Sequence, residues 1–144
     1  MSYELSEIES LCLEIQSFRL QRAISCILMG VVYHPPYIGA VENLVLLHLI
    51  RNNVDSFLSQ HPDGLPVVCG DFNSTSRGLT KQQTKNSTGL TQLIKILTID
   101  TGTLEWCLSN RPKSFAPPLQ LPKVGTSDHF TVMIKSFYQI KPLL

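Results

Sequence analysis

The chain has 144 residues, and its 12 Lys and Arg nearly balance its 11 Asp and Glu, which leaves a formal net charge of +1. This balance excludes a polycation that binds nucleic acid along its whole length, so any such contact must be local. Hydrophobic residues make up 43 % of the chain and charged residues 16 %, which excludes a disordered chain and predicts one domain with apolar surface to spare.

The first third of the chain predicts one ambiguous element and one strand. The segment ending at Ile15 fits either a strand or a helix, because its apolar residues match both spacings. The apolar run Ala23–Tyr33 predicts a strand covered on both faces, and Pro35 and Pro36 end it because proline has no N–H to donate. That run is shorter than the ~20 residues of a membrane helix, and the acidic N-terminus is atypical of a signal peptide. The sequence therefore predicts an intracellular protein without a membrane partner.

The middle of the chain predicts two helices with a strand between them. Apolar residues recur at spacings of three and four over Val41–Leu58, which is typical of an amphipathic helix. Leu65–Cys69 predicts a short buried strand, and the polar stretch Ser74–Asn86 predicts a loop. Ser87 or Thr88 is placed to cap the second helix. The apolar stripe of that helix consists of Leu90, Leu93, Ile94 and Leu97.

The last third predicts two strands, Thr103–Leu108 and Phe130–Ile134, on either side of a proline-rich loop over residues 110–126. The resulting order of strands and helices predicts a layered α/β fold and a single domain over residues 1–144. The cysteines lack the spacing of a zinc site and are predicted to be buried free thiols. They are Cys12, Cys26, Cys69 and Cys107.

Three acidic residues stand at or near the ends of predicted strands. Taken singly, each fits an ordinary role in a turn, at a loop cap or on a solvated strand. In combination with nearby Tyr, Asn and His residues, they suit phosphodiester hydrolysis, because carboxylates hold a divalent ion or activate water while the other groups donate hydrogen bonds to phosphate oxygens. We predict that the whole set converges on one rim of the sheet. The set is Tyr33, Asp71, Asn73, Glu105, Asp128 and His129.

Three short motifs occur in order along the chain: VVYHPP at Val31–Pro36, VCGDFN at Val68–Asn73 and GTSDHF at Gly125–Phe130. The segment TLEWCLSN at Thr103–Asn110 falls between the last two. Together these motifs resemble the endonuclease/exonuclease/phosphatase family, and most closely the apurinic-type endonuclease domain of LINE-like non-LTR retrotransposons. The resemblance covers residues 8–136.

The resemblance implies a layered α/β sandwich of the endonuclease/exonuclease/phosphatase type, with two packed sheets flanked by helices. It implies a cofactor, Mg²⁺ or Mn²⁺, with Asp128 in the metal site. In the family an Asn and a Glu from the N-terminal half also ligate the metal, and their segments precede the part of the domain that this chain resembles. We therefore expect the chain to correspond to the C-terminal half, with the missing N-terminal half supplied elsewhere.

The resemblance also implies a role for each of the other site residues. Asp71 would orient and deprotonate the attacking water, while Asn73 and Tyr33 would bind the scissile phosphate. His129 would stabilise the transition state, and Glu105 would hold the imidazole in its orientation. At this last position the family usually has Asp, which is one methylene shorter.

Basic residues follow two of the motifs and could contact the phosphates of a DNA substrate, although solvated loop charges are the ordinary alternative. They are Arg77, Lys81, Lys85, Arg111 and Lys113. Three functions remain open at this point. The chain could be a DNA endonuclease within a longer polyprotein that also contains a reverse transcriptase, an inactive remnant that acts as a binding module, or a phosphatase acting on a small phosphoester.

Overall fold

The structure, a computed structural model, describes residues 9–16, 24–35, 39–73 and 79–137. The described part is mixed α/β, and it also contains a 3₁₀ turn at Pro112–Ser114. Its strands and helices in chain order are β1 (Glu9–Ile15), β2 (Ile27–Tyr33), α1 (Ala40–Gln60), β3 (Leu65–Asp71), α2 (Lys81–Thr88), β4 (Thr91–Gln92), β5 (Glu105–Ser109), β6 (Leu119–Leu121) and β7 (Thr131–Met133).

Five strands form one mixed sheet in the order β1-β2-β3-β5-β4. β2 and β3 are parallel, and α1 makes the crossover between them. The other neighbouring pairs are antiparallel. Because β2 and β3 run in the same direction, Tyr33 and Asp71 end their strands side by side.

The two helices cover one face of the sheet, which we call the helix face. α1 turns a stripe of large apolar residues toward the sheet, and each of these side chains contributes roughly 1.5–3 kcal/mol by leaving water. On the sheet, Phe72 and Trp106 stack with ring centroids 5.2 Å apart. The buried core of this face includes Leu46, Leu47, Ile50, Val54, Phe57, Val68 and Leu108.

The antiparallel hairpin of β6 and β7 packs over the other face of the sheet, which we call the hairpin face. Val132 and Ile134 lie against a second apolar cluster that includes Val67 and Cys107. The hairpin also contacts the loop over residues 97–100. There Gln120 Nε2 donates to the Leu97 carbonyl at 3.1 Å, the Phe130 N–H donates to the Thr98 carbonyl at 2.7 Å, and Lys123 pairs with Asp100 at 3.1 Å.

The hairpin does not reach the β1 and β2 side of its face. Cross-strand partners point to the same side of a sheet, so Leu11 and Val31 form one exposed apolar pair. Leu13 and Ile15 on β1 are exposed as well. The prediction that the second strand is covered on both faces is therefore wrong, because only the helix face of β2 is fully covered. The structure also resolves the ambiguous first segment as a strand.

The second helix lies earlier in the chain than the sequence predicts. α2 falls within the predicted loop, and Thr80 caps it by accepting a hydrogen bond from the Gln83 N–H at 3.0 Å. Gly89 ends it in the left-handed conformation, with φ +74°. The segment predicted to form this helix instead contains the short strand β4 and an irregular stretch that packs on the sheet. Its spacing misled the prediction because buried Leu90, Leu93 and Ile94 satisfy a helical period without forming a helix.

β2 begins four residues after the predicted start at Ala23. The three later strand predictions correspond to β3, β5 and β7 and are confirmed within two residues at either end, and the predicted first helix corresponds to α1. The predicted loop over residues 110–126 also contains the 3₁₀ turn and β6. Of the four thiols predicted to be buried, Cys26 and Cys107 are buried, whereas Cys69 is half-buried and Cys12 is exposed, so the prediction is wrong for Cys12 and holds only in part for Cys69. None of the helices in the described ranges combines the length and the hydropathy that crossing a bilayer requires.

Candidate active site

A row of polar side chains crosses the sheet where β2 and β3 end and β5 begins. In the strand register, Tyr33 pairs with Asp71 and Asp71 pairs with Glu105. Register partners share a face, so these side chains lie side by side on the hairpin face. Glu9 of β1 is the register partner of Tyr33 and extends the row at its outer end. We call this set the carboxylate row.

Asp71 occupies the centre of the row because of the glycine before it. Gly70 has φ +154°, and a Cβ at that position would lie 1.8 Å from the Val32 carbonyl oxygen. Only glycine allows β3 to approach β2 this closely at the position before the carboxylate. Burial raises the pKa of Asp71, and the neighbouring charge of Glu105 raises it further, against the lowering effect of a hydrogen bond from the Asn73 N–H.

Glu105 and His129 form a hydrogen-bonded ion pair between Oε1 and Nδ1. Burial lowers the pKa of His129, but the hydrogen bond and charge of Glu105, with the charges of Asp71 and Asp128, outweigh that effect and raise the pKa overall. The imidazole therefore retains its proton at a higher pH than an isolated histidine does. Its Nε2 lies 3.5 Å from the Asp128 carboxylate, which is 88 % exposed.

Thr98 connects the two segments that supply this ion pair. Its carbonyl accepts from the Phe130 N–H at 2.7 Å, and its hydroxyl oxygen accepts from the Leu104 N–H at 2.8 Å and from the Glu105 N–H at 3.3 Å. The Thr98 residue is fully buried. One threonine thus holds the chain next to His129 and the start of β5 in fixed relation.

Asn73 is buried below the row rather than exposed on it. Its Nδ2 donates to the His34 carbonyl at 2.5 Å, and its backbone adopts a positive φ of 44°. His34 is itself buried, and its Nε2 lies 2.5 Å from Oδ1 of Asn43 on α1. Its backbone N–H donates to the Asp71 carbonyl at 2.9 Å. These hydrogen bonds hold the turn after β3 in one conformation. Asn73 therefore helps to position Asp71 through the backbone of that turn.

The residues of the row can hold a cation. Asp71, Glu105 and His129 each offer one ligand atom, and these atoms lie within 4.8 Å of one another. Oε2 of Glu105 is buried and has no hydrogen-bond partner in the part of the chain that the structure describes. A buried carboxylate oxygen without a partner is costly unless a cation or donor compensates it, so this oxygen of Glu105 is suited to a divalent ion that prefers oxygen ligands.

The structure brings together four of the six predicted site residues and leaves two at the margin. Tyr33, Asp71 and Glu105 lie in the row, and His129 contacts it. Asn73 supports the row from below. Asp128, predicted in the metal site, contacts the outer nitrogen of the imidazole.

Where the structure describes them, the predicted basic residues belong to other segments of the chain than the row. Lys81 and Lys85 belong to α2, on the helix face. Arg111 and Lys113 follow the far end of β5, where the charge of Arg111 acts on Asp63. Arg77 lies outside the described residues.

Sequence reasoning missed three supporting residues, His34, Asn43 and Thr98. Asn43 carried a usable signal, because it is a polar residue on the buried stripe of α1. A polar group in such a stripe requires a partner. Thr98 carried no such signal, since its bonds join residues that become neighbours only in the folded chain.

No protein-family model, no curated protein and no solved structure matches this chain.

Proposed function

We propose that this chain is part of a metal-dependent phosphodiesterase of the endonuclease/exonuclease/phosphatase type and that its substrate is DNA. The observation that carries the proposal is the Glu105–His129 ion pair beside Asp71. It combines a cationic donor and a carboxylate base within one small site. The sheet with helices on one face is compatible with one half of the two-sheet sandwich that the motifs resemble.

Asp71 is suited to accept a proton from the attacking water. Its raised pKa makes its carboxylate a stronger base than an ordinary aspartate. In the proposed step, the water oxygen bonds to phosphorus, one of its protons passes to Asp71, and the bond to the leaving oxygen breaks. The leaving oxygen keeps the electron pair of that bond and takes up a proton from solvent. The Asn73 N–H holds the carboxylate in place by donating to its Oδ1 at 3.1 Å.

His129 is suited to stabilise negative charge on the phosphate. The Glu105 carboxylate accepts from Nδ1, so the outer nitrogen, Nε2, is directed away from Glu105 and lies 3.5 Å from the exposed Asp128 carboxylate. The hydroxyl of Tyr33, a half-exposed residue at the next position of the row, supplies a second donor. Glu105 acts on substrate through the imidazole and is a positioning residue.

A divalent cation fits at Oε2 of Glu105, because this oxygen lacks another partner among the described residues. When bound, such a cation supplies positive charge that neutralises the phosphate and polarises its oxygens. Mg²⁺ and Mn²⁺ are the ions that the motif resemblance implies. Asp128 remains a proposed ligand from that resemblance.

The experiment that tests this proposal is nicking of supercoiled DNA in Mg²⁺ or Mn²⁺. It is run on the chain itself and on the chain joined to the N-terminal half of a related retroelement endonuclease, which would add the family's further metal ligands. We expect strong nicking from the joined protein and weak nicking from the chain alone. Asp71→Asn and His129→Ala should each reduce nicking by about 10²–10⁴-fold.

Matched controls separate this activity from a contaminant. Asp55→Asn and His48→Ala make the same chemical changes at exposed positions of α1 and should leave nicking unchanged. Hydrolysis of a small phosphoester without nicking would assign the site to a different substrate class. DNA binding without hydrolysis by either protein would show that the chain is an inactive binding module, and both results would contradict the proposal.

A further inference from the structure

A second cluster of potential metal ligands lies at the opposite end of the sheet from the carboxylate row. It consists of Glu14 on β1, Cys26 just before β2 and His61 just after α1, and one ligand atom of each lies within 4.8 Å of the other two. Oε2 of Glu14 is 3.7 Å from Nε2 of His61. The length of β3 separates the two clusters by about 20 Å, and they share no residue.

Backbone hydrogen bonds hold two of these ligands near each other. The Cys26 carbonyl accepts from the Leu65 N–H at 2.9 Å, which fixes the start of β2 against the start of β3. The His61 N–H donates to the Phe57 carbonyl at 2.8 Å, and the two rings pack with centroids 5.3 Å apart. The thiol and the imidazole are therefore positioned by the fold before any ion binds.

The cluster is closed on one side and open on the other. Cys26 is fully buried, whereas the side chain of His61 is 21 % exposed and that of Glu14 is 46 % exposed. An ion can enter from the side of the carboxylate and reach the sulfur at the base of the cluster. Among the described residues, the hydrogen bond of the thiol is a long contact, 3.8 Å, with the Ile27 carbonyl, which metal binding would replace.

We propose that Glu14, Cys26 and His61 bind a zinc ion, with water as the fourth ligand. Sulfur, nitrogen and oxygen donors together are typical of zinc, whereas Mg²⁺ and Ca²⁺ select oxygen alone. Ligand atoms of a tetrahedral zinc lie roughly 3.5 Å apart, so the 3.7 Å between Glu14 and His61 is close to that spacing. The sulfur lies within 4.8 Å of both atoms and must move closer to them by at most about 1.3 Å. Binding releases the thiol proton to water.

A zinc ion here would join three elements. In the described sheet β1 pairs only with β2, and the metal would also attach it to the end of α1. Without a metal, the same residues amount to a half-exposed Glu–His pair and a packed thiol, and such a pair contributes little to stability. The two interpretations differ in whether sulfur binds a metal, and spectroscopy measures that directly.

Titration of the whole chain with Co²⁺, a spectroscopic substitute for zinc, tests the proposal. We expect a sulfur-to-cobalt charge-transfer band in the near ultraviolet that saturates at one equivalent and disappears when Zn²⁺ is added. The carboxylate row has no sulfur ligand and cannot produce this band, so the result is independent of the proposed phosphodiesterase. Absence of the band from the unmodified chain would overturn the proposal.

Variants assign the band to this cluster. Cys26→Ser should abolish it, while His61→Asn and Glu14→Gln should weaken Co²⁺ binding by about tenfold or more. Cys12→Ser and Cys69→Ala are the controls and should keep the band. Circular dichroism shows whether Cys26→Ser folds, and if it does not, the two other ligand variants decide. A band that survives in folded Cys26→Ser, or unchanged affinity in both His61→Asn and Glu14→Gln, would overturn the proposal.

Discussion

The imidazole of His129 lies among three carboxylates, and Glu105 is the one that both bonds to it and adds charge. The raised pKa of His129 links its protonation to stability. The contribution is fully present below the ordinary histidine pKa of about 6.5 and is lost as the pH rises through the raised pKa of the folded chain. A chemical role that needs the imidazolium is therefore retained to a higher pH than for an isolated histidine.

Glu105→Gln should lower the pKa of His129, because it removes the negative charge and weakens the hydrogen bond to Nδ1. Asp128→Asn should lower it less, since that carboxylate is exposed and contributes charge alone. NMR titration of the carbon-bound imidazole protons measures both shifts. An equal or larger effect of Asp128→Asn would contradict the assigned order. In the joined protein, Glu105→Gln should also move the alkaline limb of nicking to lower pH.

The sequence led to the principal residues of the candidate site because they stand at strand ends. Asp71 and Glu105 follow or begin runs of apolar residues, and such ends meet at one edge of a sheet. The shared rim follows from that topology. Thr98 could not be predicted this way, because it lies in an irregular segment without hydrophobic periodicity. Its hydrogen bonds to the segments of Glu105 and His129 form between parts of the chain that meet only on folding.

At the scale of elements, the close approach of β2 and β3 depends on Gly70. Gly70→Ala should destabilise the chain by more than about 3 kcal/mol, because its Cβ would collide with the Val32 carbonyl and its φ is unfavourable for alanine. Urea unfolding followed by circular dichroism measures the change. Gly102→Ala is the matched control, since a Cβ there meets nothing within 4 Å, and its effect should stay within about 0.5 kcal/mol. Equal effects would refute this account.

The two helices show where sequence periodicity succeeds and where it fails. α1 spans 21 residues, long enough for its apolar stripe to exclude a strand. α2 spans only Lys81–Thr88, and all eight of its residues are polar, so the spacing of apolar residues carries no information about it. Its informative residues are the cap Thr80 and the terminator Gly89. Hydrogen bonds at its two ends determine a helix this short, whereas the hydrophobic pattern belongs to the segment that follows it.

At the scale of the whole molecule, the uncovered part of the hairpin face agrees with the high hydrophobic content of the sequence, which predicts exposed apolar surface. Leu11 is 57 % exposed and its register partner Val31 is 50 % exposed, so they form part of a contiguous hydrophobic patch. The combined change Leu11→Thr and Val31→Thr should reduce concentration-dependent association, because threonine retains strand propensity while adding a hydroxyl. Sedimentation velocity at several concentrations measures this.

Val124→Thr is the control for that experiment. Val124 is 72 % exposed but lies in the loop between β6 and β7, away from the patch. A single exposed apolar residue is ordinary in soluble proteins, so this change should have little effect. If both variants change association equally, the patch contributes no more to association than a single exposed apolar residue does.

The ion pair joins Glu105, a residue of the sheet, to His129, a residue of the hairpin layer. Hydrogen bonds hold that layer on the loop over residues 97–100. Docking of the hairpin and assembly of the site are consequently one equilibrium. Local openings of this kind cost less free energy than global unfolding. Any activity of the proposed site would then scale with the fraction of molecules in which the hairpin is docked, and heating would reduce it before the sheet and helices unfold.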